Sequence, residues 1–380
     1  MNAARPVWGL GTQGRLIICA VLLLWISHTI FTSEAESAAR AADQDWSELD
    51  TLQRWRAAWT IGPPQLLSTL RRVHPGWLAV SLLSMGATLG FGVWRWRMVL
   101  RVHGLNLSFA RALRISMIAQ FFNAFLLGST GGDLMKAYYA ARQTDHKKTE
   151  AVVTVLADRL IGLVAMLLFA GAMMLVNLRF LLGYAELSAV VWAVATMLAG
   201  CGALLAATFW GGISRVWPGS RAWLRRLPRA DLLEQALEAF RLLGRTPGFL
   251  RRTLGVSLLL NLACVFQVMA LGAGLGLAVP WTIWLVIVPT IICISAVPIT
   301  PSGLGVRENL YVLTLAGPGL QVPATQALAV SLLAYFGFLV WSLVGGLVYL
   351  LVRRRQPLVE AALETSDGST AVEGAGGERS

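Results

Sequence analysis

The chain has 380 residues, 56% of them hydrophobic and 14% charged, with a mean hydropathy of +0.63. A soluble domain of this size carries roughly 25% charged residues, so the composition excludes an ordinary soluble globule and implies a multi-pass membrane protein. The net charge of +12 does not imply nucleic acid as a partner, because the basic residues flank apolar runs, as membrane-topology signals do.

Arg5 and Arg15 precede the first apolar run, Leu16–Phe31. The run contains Trp25 and His28 and no clean small-x-small cleavage site follows it, so it reads as a retained span rather than a signal peptide. Residues 33–75 form an expected extracytoplasmic loop, in which Glu34, Glu36, Asp43, Asp45, Glu48 and Asp50 balance the arginines. Trp46, Trp55 and Trp59 in this loop admit two readings, an interfacial aromatic belt or a solvated surface.

Six segments have the length and apolarity of full spans: 16–32, 77–94, 151–176, 187–209, 254–276 and 324–352. At a rise of ~1.5 Å per helical residue, each suits a hydrocarbon layer of ~30 Å. Arg95, Arg97 and Arg101 follow the second of these, and Lys136, Arg142, Lys147 and Lys148 precede the third. Arg353, Arg354 and Arg355 follow the last, and residues 210–252 are rich in arginine. All of this positive charge falls on one side when both termini are cytoplasmic.

Two apolar stretches do not fit as spans. Ile115–Leu127 covers only about 20 Å as a helix, and the basic residues at both of its ends favour the same side of the membrane. Trp281–Val297 is longer, but the arm after it, Leu310–Ala316, covers about 10 Å. Both read as re-entrant hairpins, entered from opposite sides, an arrangement suited to an inverted-repeat transporter. The expected fold is therefore all-α, a polytopic bundle of about six spans and two hairpins over residues 1–355. Within 210–252, Leu232, Leu233, Ala236, Leu237, Phe240 and Leu243 recur at helical spacing and predict a surface helix. Residues 356–380 are rich in Gly, Ser and Glu and are expected to be disordered.

Two polar, glycine-rich interruptions mark the hairpin tips: Gly128–Asp133 and Pro298–Glu308. Irregular backbone and charge are tolerated at bilayer depth only where they line a protein-enclosed cavity. Gly131 and Gly132 permit backbone geometry closed to other residues and expose amides that, with Lys136 following, suit a phosphate. The Gly-Lys-Ser/Thr ending of a nucleotide-binding loop is absent, so ATP consumption is not expected. Asn123 is placed to bond an open helix end or a ligand. Pro298 and Pro301 stop the incoming helix, Gly303 and Gly305 allow a tight turn, and Arg307 and Glu308 open the next arm. An acidic residue suits a helix N-terminus, which accounts for Glu308 without a ligand. Arg307 presents a fork matched to phosphate oxygens.

Asp158 and Arg159 lie roughly 12 Å inside the third span. Isolated charges at such depth cost about 2.5–3.5 kcal/mol, so partners are expected, with Asp133, Lys136, Arg95 and Arg307 as candidates. Adjacent helical positions diverge by about 100°, so the two are not each other's natural partner. Two readings stand for them, a structural ion-pair network and a headgroup site. Cys19, Cys201, Cys264 and Cys293, like His28, His74, His103 and His146, are scattered without ligand spacing, and no metal or other cofactor is expected.

Taken together these marks resemble the lysylphosphatidylglycerol synthase transmembrane region, a flippase-like membrane family. They are Arg95-Trp96, Asn123, Gly131-Gly132-Asp133 with Lys136, Asp158-Arg159, and Pro298 through Ser302-Gly303-Leu304-Gly305-Val306-Arg307-Glu308. The resemblance runs over roughly residues 10–352. The chain departs from the family in having Leu127 where proline is frequent, Lys136 in place of arginine, and Ser302 in place of a second glycine. The resemblance implies an integral protein of the cell membrane associated with moving polar lipids between leaflets. Bifunctional relatives add a soluble aminoacyl-transferase domain; none is expected after the last span, so lipid lysylation is not expected either.

The leading functional expectation is a transporter for a phosphate-bearing lipid, whose headgroup is anionic, aminoacylated or of the polyprenyl-phosphate type. Arg95, Lys136, Arg159 and Arg307 would neutralise phosphate, while Asp133, Asp158 and Glu308 would orient them or receive an amine. The alternatives are a membrane-embedded glycosyl- or phosphotransferase with Asp133 or Glu308 as general base, and a non-catalytic partner of a lipid or cell-envelope synthesis enzyme. The enzyme alternative is weaker, because no paired-carboxylate or metal-ligand spacing is present.

Overall fold

A computed structural model of the chain describes residues 12–41, 46, 49–125, 129–143, 148–178, 182–183, 185–209, 246–296, 303–317, 320 and 322–373. These residues form helices and no strands. In chain order they are α1 (Thr12–Ala41), α2 (Thr51–Arg71), α3 (Pro75–Val102), α4 (Phe109–Phe125), α5 (Ser129–Ala141) and α6 (Lys148–Val176). Then come α7 (Ala185–Phe209), α8 (Phe249–Gly274), α9 (Trp281–Ser295), α10 (Val306–Leu315) and α11 (Ala324–Glu373). The protein is a polytopic helical membrane bundle.

The six segments expected to span fall on helices α1, α3, α6, α7, α8 and α11, with only the last two residues of 254–276 lying beyond the end of α8. Four of them, α3, α6, α8 and α11, are long and apolar enough to cross a bilayer, and the most apolar part of α7 is Val191–Gly202. Their burial pattern is that of a protein in lipid. On α8, Leu258, Leu262 and Phe266 recur every fourth residue and face outward, while Ser257, Asn261, Val265 and Gln267 are buried. Large apolar side chains cover the outside because lipid does not penalise them, and polar ones turn inward to find partners.

The arms of the two expected hairpins are the helix pairs α4–α5 and α9–α10, each packed arm against arm. They are held differently. The first sits in a cluster rich in small residues, where Ala112, Ala137, Ala140 and Ala151 meet Val93, Trp96 and Leu100 of α3. Its α4 also crosses α11 closely: a Cβ on Gly345 would strike the Met117 carbonyl oxygen, and one on Gly346 would lie 2.7 Å from the Phe121 ring. The second hairpin is sunk in bulky side chains, with Trp284, Ile287, Val288 and Ile291 of α9 against Tyr311 and Leu315 of α10 and Val265 and Val268 of α8.

Two segments depart from expectation. Residues 33–75 are largely helical: α1 runs on to Ala41, and α2 fills most of the remainder. The start of α2 is fixed by a reciprocal cap, in which Thr51 N–H donates to Asp50 Oδ1 (2.7 Å) and Asp50 N–H donates to Gln53 Oε1 (3.0 Å). Trp59 packs edge-on against Phe31, with ring centroids 5.4 Å apart, and joins a cluster with Ile30, Ala35, Ala58 and Leu328. Trp59 is therefore part of the α1–α2 contact and not a residue of a solvated loop.

The second correction concerns the C-terminal segment. Helix α11 continues to Glu373, so the segment expected to be disordered is mostly helical. Helix growth from an existing helix avoids the costly nucleation step, and Leu358, Glu360, Ala361, Ala362, Leu363 and Glu364 are favourable helix formers. The surface helix expected around 232–243 lies outside the described residues.

Candidate functional site

The charged residues singled out from the sequence fall into three groups. The first is buried among α3, α5, α6 and α8. Arg95 Nε donates to Asp158 Oδ1 at 2.8 Å, and Lys136 Nζ donates to Asp158 Oδ2 at 3.3 Å. Arg95 Nη1 also donates to Ser257 Oγ at 3.3 Å. The Lys136 ammonium rests 4.2 Å from the centroid of the Trp96 ring, whose Nε1–H donates to Thr154 Oγ1 at 3.3 Å. Gly162 makes room for this cluster: a Cβ there would meet the Arg95 guanidinium at 2.7 Å. Asp158 thus holds one cation on each carboxylate oxygen, and Arg95 and Asp158 are 8% and 6% exposed.

The second group is the ion pair between Arg159 of α6 and Asp133 of α5. Its side chains are 44% and 33% exposed, against 13% or less for the first group. Asp158 and Arg159 go separate ways because consecutive helical residues point about 100° apart.

The third group belongs to the second hairpin. Gly303 and Gly305 take φ of +70° and +83°, the left-handed backbone that the break requires. A Cβ on Gly303 would lie 2.9 Å from Ser295 Cβ, so glycine also permits the turn to close on the end of α9. Glu308, fully buried, accepts from Gly305 N–H through Oε2 at 2.6 Å and from Arg307 Nη2 through Oε1 at 2.6 Å. Ser331 of α11 donates to Glu308 Oε1 and accepts from Arg307 Nε, both at 3.2 Å. The Arg307 guanidinium lies 4.9 Å from the centroid of the Tyr335 ring.

A cavity of about 360 Å³ joins the last two groups. Asn123 near the end of α4 and Arg159 of α6 contribute from the first half of the chain. Ser295, Gly303 and Arg307 at the second hairpin tip, with Gln267 of α8 and Tyr335 of α11, contribute from the second. Ser295 Oγ is buried and has no hydrogen-bond partner among the described residues. A buried hydroxyl left unsatisfied next to two guanidinium groups is a donor awaiting an acceptor.

Of the sequence-selected residues, the cavity therefore brings together Asn123, Arg159, Gly303 and Arg307. Asp133 and Glu308 stand behind the two arginines as their counter-ions. Arg95, Lys136 and Asp158 form the separate buried cluster. Gly305 serves the turn.

Gly131 and Gly132 are not in a left-handed turn; they lie inside α5 and are buried. A Cβ on Gly132 would strike the Ala119 carbonyl oxygen and the Asn123 side chain, and its amide already donates to Asn123 Oδ1 at 2.9 Å. Glycine is needed there for close packing of the two arms. The exposed amide cradle expected from sequence is absent at Gly132.

Gln267, Ser295, Ser331 and Tyr335 were not singled out from the sequence. The available signal was the placement of Ser331 and Tyr335 one helical turn apart, in a run of small residues that includes Ala327 and Ala334. Gln267 carried a second signal, an amide in the middle of a span.

No curated protein matches the chain. The family described as the lysylphosphatidylglycerol synthase TM region matches residues 52–345, which include both hairpins and every charged residue of the three groups. On that match, the chain belongs to the lysylphosphatidylglycerol synthase transmembrane-region family, a family of lipid-related membrane proteins.

Proposed function

We propose that the protein is a flippase-like transporter that passes a phosphate-bearing lipid headgroup through the cavity between the two hairpin tips. The observation that carries this reading is the convergence of Arg159 and Arg307, from opposite halves of the chain, on one cavity. Arginine forks pair with phosphate oxygens through parallel hydrogen bonds, and the Ser295 hydroxyl supplies a further donor. Helix α10 begins beside Arg307, and a helix N-terminus favours negative charge. Each arginine already carries a carboxylate, so a phosphate exchanges with the partly exposed Asp133 at Arg159 and shares Arg307 with the buried Glu308 instead of meeting a bare buried cation. Exchange of that kind lets a headgroup enter and leave without a deep energetic trap.

Under this reading both termini are cytoplasmic, the hairpins enter from opposite faces, and the headgroup is exposed alternately to each side. The acyl chains stay in lipid while only the polar group crosses through protein. A transferase using Glu308 as base has less support, because both Glu308 oxygens are engaged and the side chain is fully buried.

Reconstitution into liposomes carrying fluorescent phosphatidylglycerol tests the proposal. Dithionite quenching should reveal movement between leaflets faster than in protein-free vesicles, and Arg307→Ala should slow it by at least tenfold. Equal rates with and without protein, for every phosphate-bearing headgroup tried, would overturn it.

A further inference from the structure

A second, larger cavity lies away from the hairpin tips. It has a volume of about 690 Å³ and lies among the C-terminal part of α1, the face of α2 from Thr60 to Arg72, and the start of α11. Its volume falls in the range of small-molecule sites, about 300–1,000 Å³. Its floor is tied together by Glu34, which accepts from Gln65 Nε2 at 2.9 Å and from the Thr325 hydroxyl. One carboxylate thus joins α1, α2 and α11.

The hydrogen-bond inventory of the lining is specific. Thr60, Ser68 and Thr69 each donate their hydroxyl hydrogen back to the helix, to the carbonyls of Arg56, Gln65 and Gln65 at 2.8, 2.8 and 2.9 Å. A hydroxyl with its hydrogen committed still has lone pairs to offer, so these three present acceptors. Each Glu34 oxygen takes one protein donor and keeps acceptor capacity. Arg72 and the Gln326 amide add donors on the same lining. Pro64, Pro323 and Ile61 supply apolar surface between them.

We propose that this cavity binds a neutral polyhydroxyl group, a sugar or glycerol moiety. Such a ligand donates from each hydroxyl to the acceptor row, accepts from Arg72 and Gln326, and lays its C–H face on the prolines. The formal charges on the lining, Glu34 and Arg72, cancel. An inorganic anion would find too few donors, and a simple ammonium would meet Arg72 with no aromatic cage to hold it. The inference stands on different residues from the cavity between the hairpins and does not rest on the transport reading.

Saturation-transfer NMR on the full chain in phosphatidylcholine nanodiscs tests it, with methyl β-D-glucopyranoside, ethanolamine and inorganic phosphate as separate probes. The glucoside should give enhancements, and the other two should neither give them nor compete. Glu34→Gln should reduce the glucoside signal at least fivefold. Because Glu34 also joins three helices, Ser68→Leu serves as a second variant: it fills the pocket from an exposed helix face and should have the same effect in a protein of unchanged thermal stability. Absence of glucoside signal, an unchanged signal in Ser68→Leu, or equal competition by ethanolamine or phosphate would overturn the proposal. Nanodiscs doped with glucosyl-diacylglycerol assign the source. Loss of the free-glucoside signal there assigns the site to a lipid-borne sugar, and its persistence assigns the site to a free one.

Discussion

The two hairpins solve the same problem, a chain reversal between helices at membrane depth, with opposite economies of charge. In α9–α10 the solution is local and closed: Glu308 caps the amide two residues beyond the Gly303 turn, pairs with its neighbour Arg307, and is reinforced by Ser331. Bulky side chains bury the contact between its two arms. In α4–α5 the solution is distributed and partly open. Asp133 reaches across to Arg159 on α6, both remain partly exposed, and alanines and Gly132 keep the arms close. An exposed ion pair contributes about 0–1 kcal/mol, whereas stripping one partner from a buried pair costs about 3–5 kcal/mol. Under the proposed transport, this contrast makes the second hairpin the fixed wall of the cavity and the first the side that yields.

That contrast can be broken by substitution. The largest loss of stability is expected from Asp158→Ala, which leaves Arg95 and Lys136 both buried without a counter-ion. A loss of about 3–5 kcal/mol should appear as a lowered unfolding midpoint in detergent. Glu308→Ala should approach it, since Arg307 loses its carboxylate and Gly305 its acceptor together; a midpoint equal to wild type would remove the distinction between the hairpins. Gly132→Ala comes next, with an overpacking cost of about 1–3 kcal/mol, because the new methyl meets the Ala119 backbone carbonyl as well as the Asn123 side chain, and the backbone cannot swing aside. The same unfolding measurement checks it, and Gly90→Ala, where a Cβ meets nothing within 4 Å, is the matched control. The smallest change in stability is expected from Asp133→Asn, within about 1 kcal/mol. If the first hairpin is the yielding side, this variant should nonetheless alter the rate of lipid movement in the liposome assay more than it alters the unfolding midpoint.

Much of this architecture was written in the sequence, because a bilayer constrains sequence strongly. Long apolar runs gave the spans, and runs too short to cross, with charge at both ends, gave the hairpins. Helix α2 was hidden for the converse reason: its composition is mixed, and it carries Pro63 and Pro64 in its interior, where proline disfavours a helix. The Asp50–Gln53 cap was the signal that favoured one. At the site, the sequence left Asp158-Arg159 divided between a structural network and a ligand pocket. The structure divides the pair itself, with Asp158 in the buried cluster and Arg159 on the cavity. Which residue took which role depended on the rotation of α6 against its neighbours, a tertiary quantity that no local pattern encodes. The same holds for Gly131 and Gly132, where a glycine pair has the same spelling for a left-handed turn and for a tight helix contact.

The cluster around Asp158 has an electrical consequence. Lys136 and Asp133 stand three residues apart on α5 with opposite formal charges, and each pairs with α6, through Asp158 and Arg159. Carrying a unit charge through the full transmembrane potential involves about 2.3 kcal/mol per 100 mV. A displacement of α5 along the membrane normal moves both signs together, so the two contributions oppose each other and imposed diffusion voltages should have little effect on how often the first hairpin shifts.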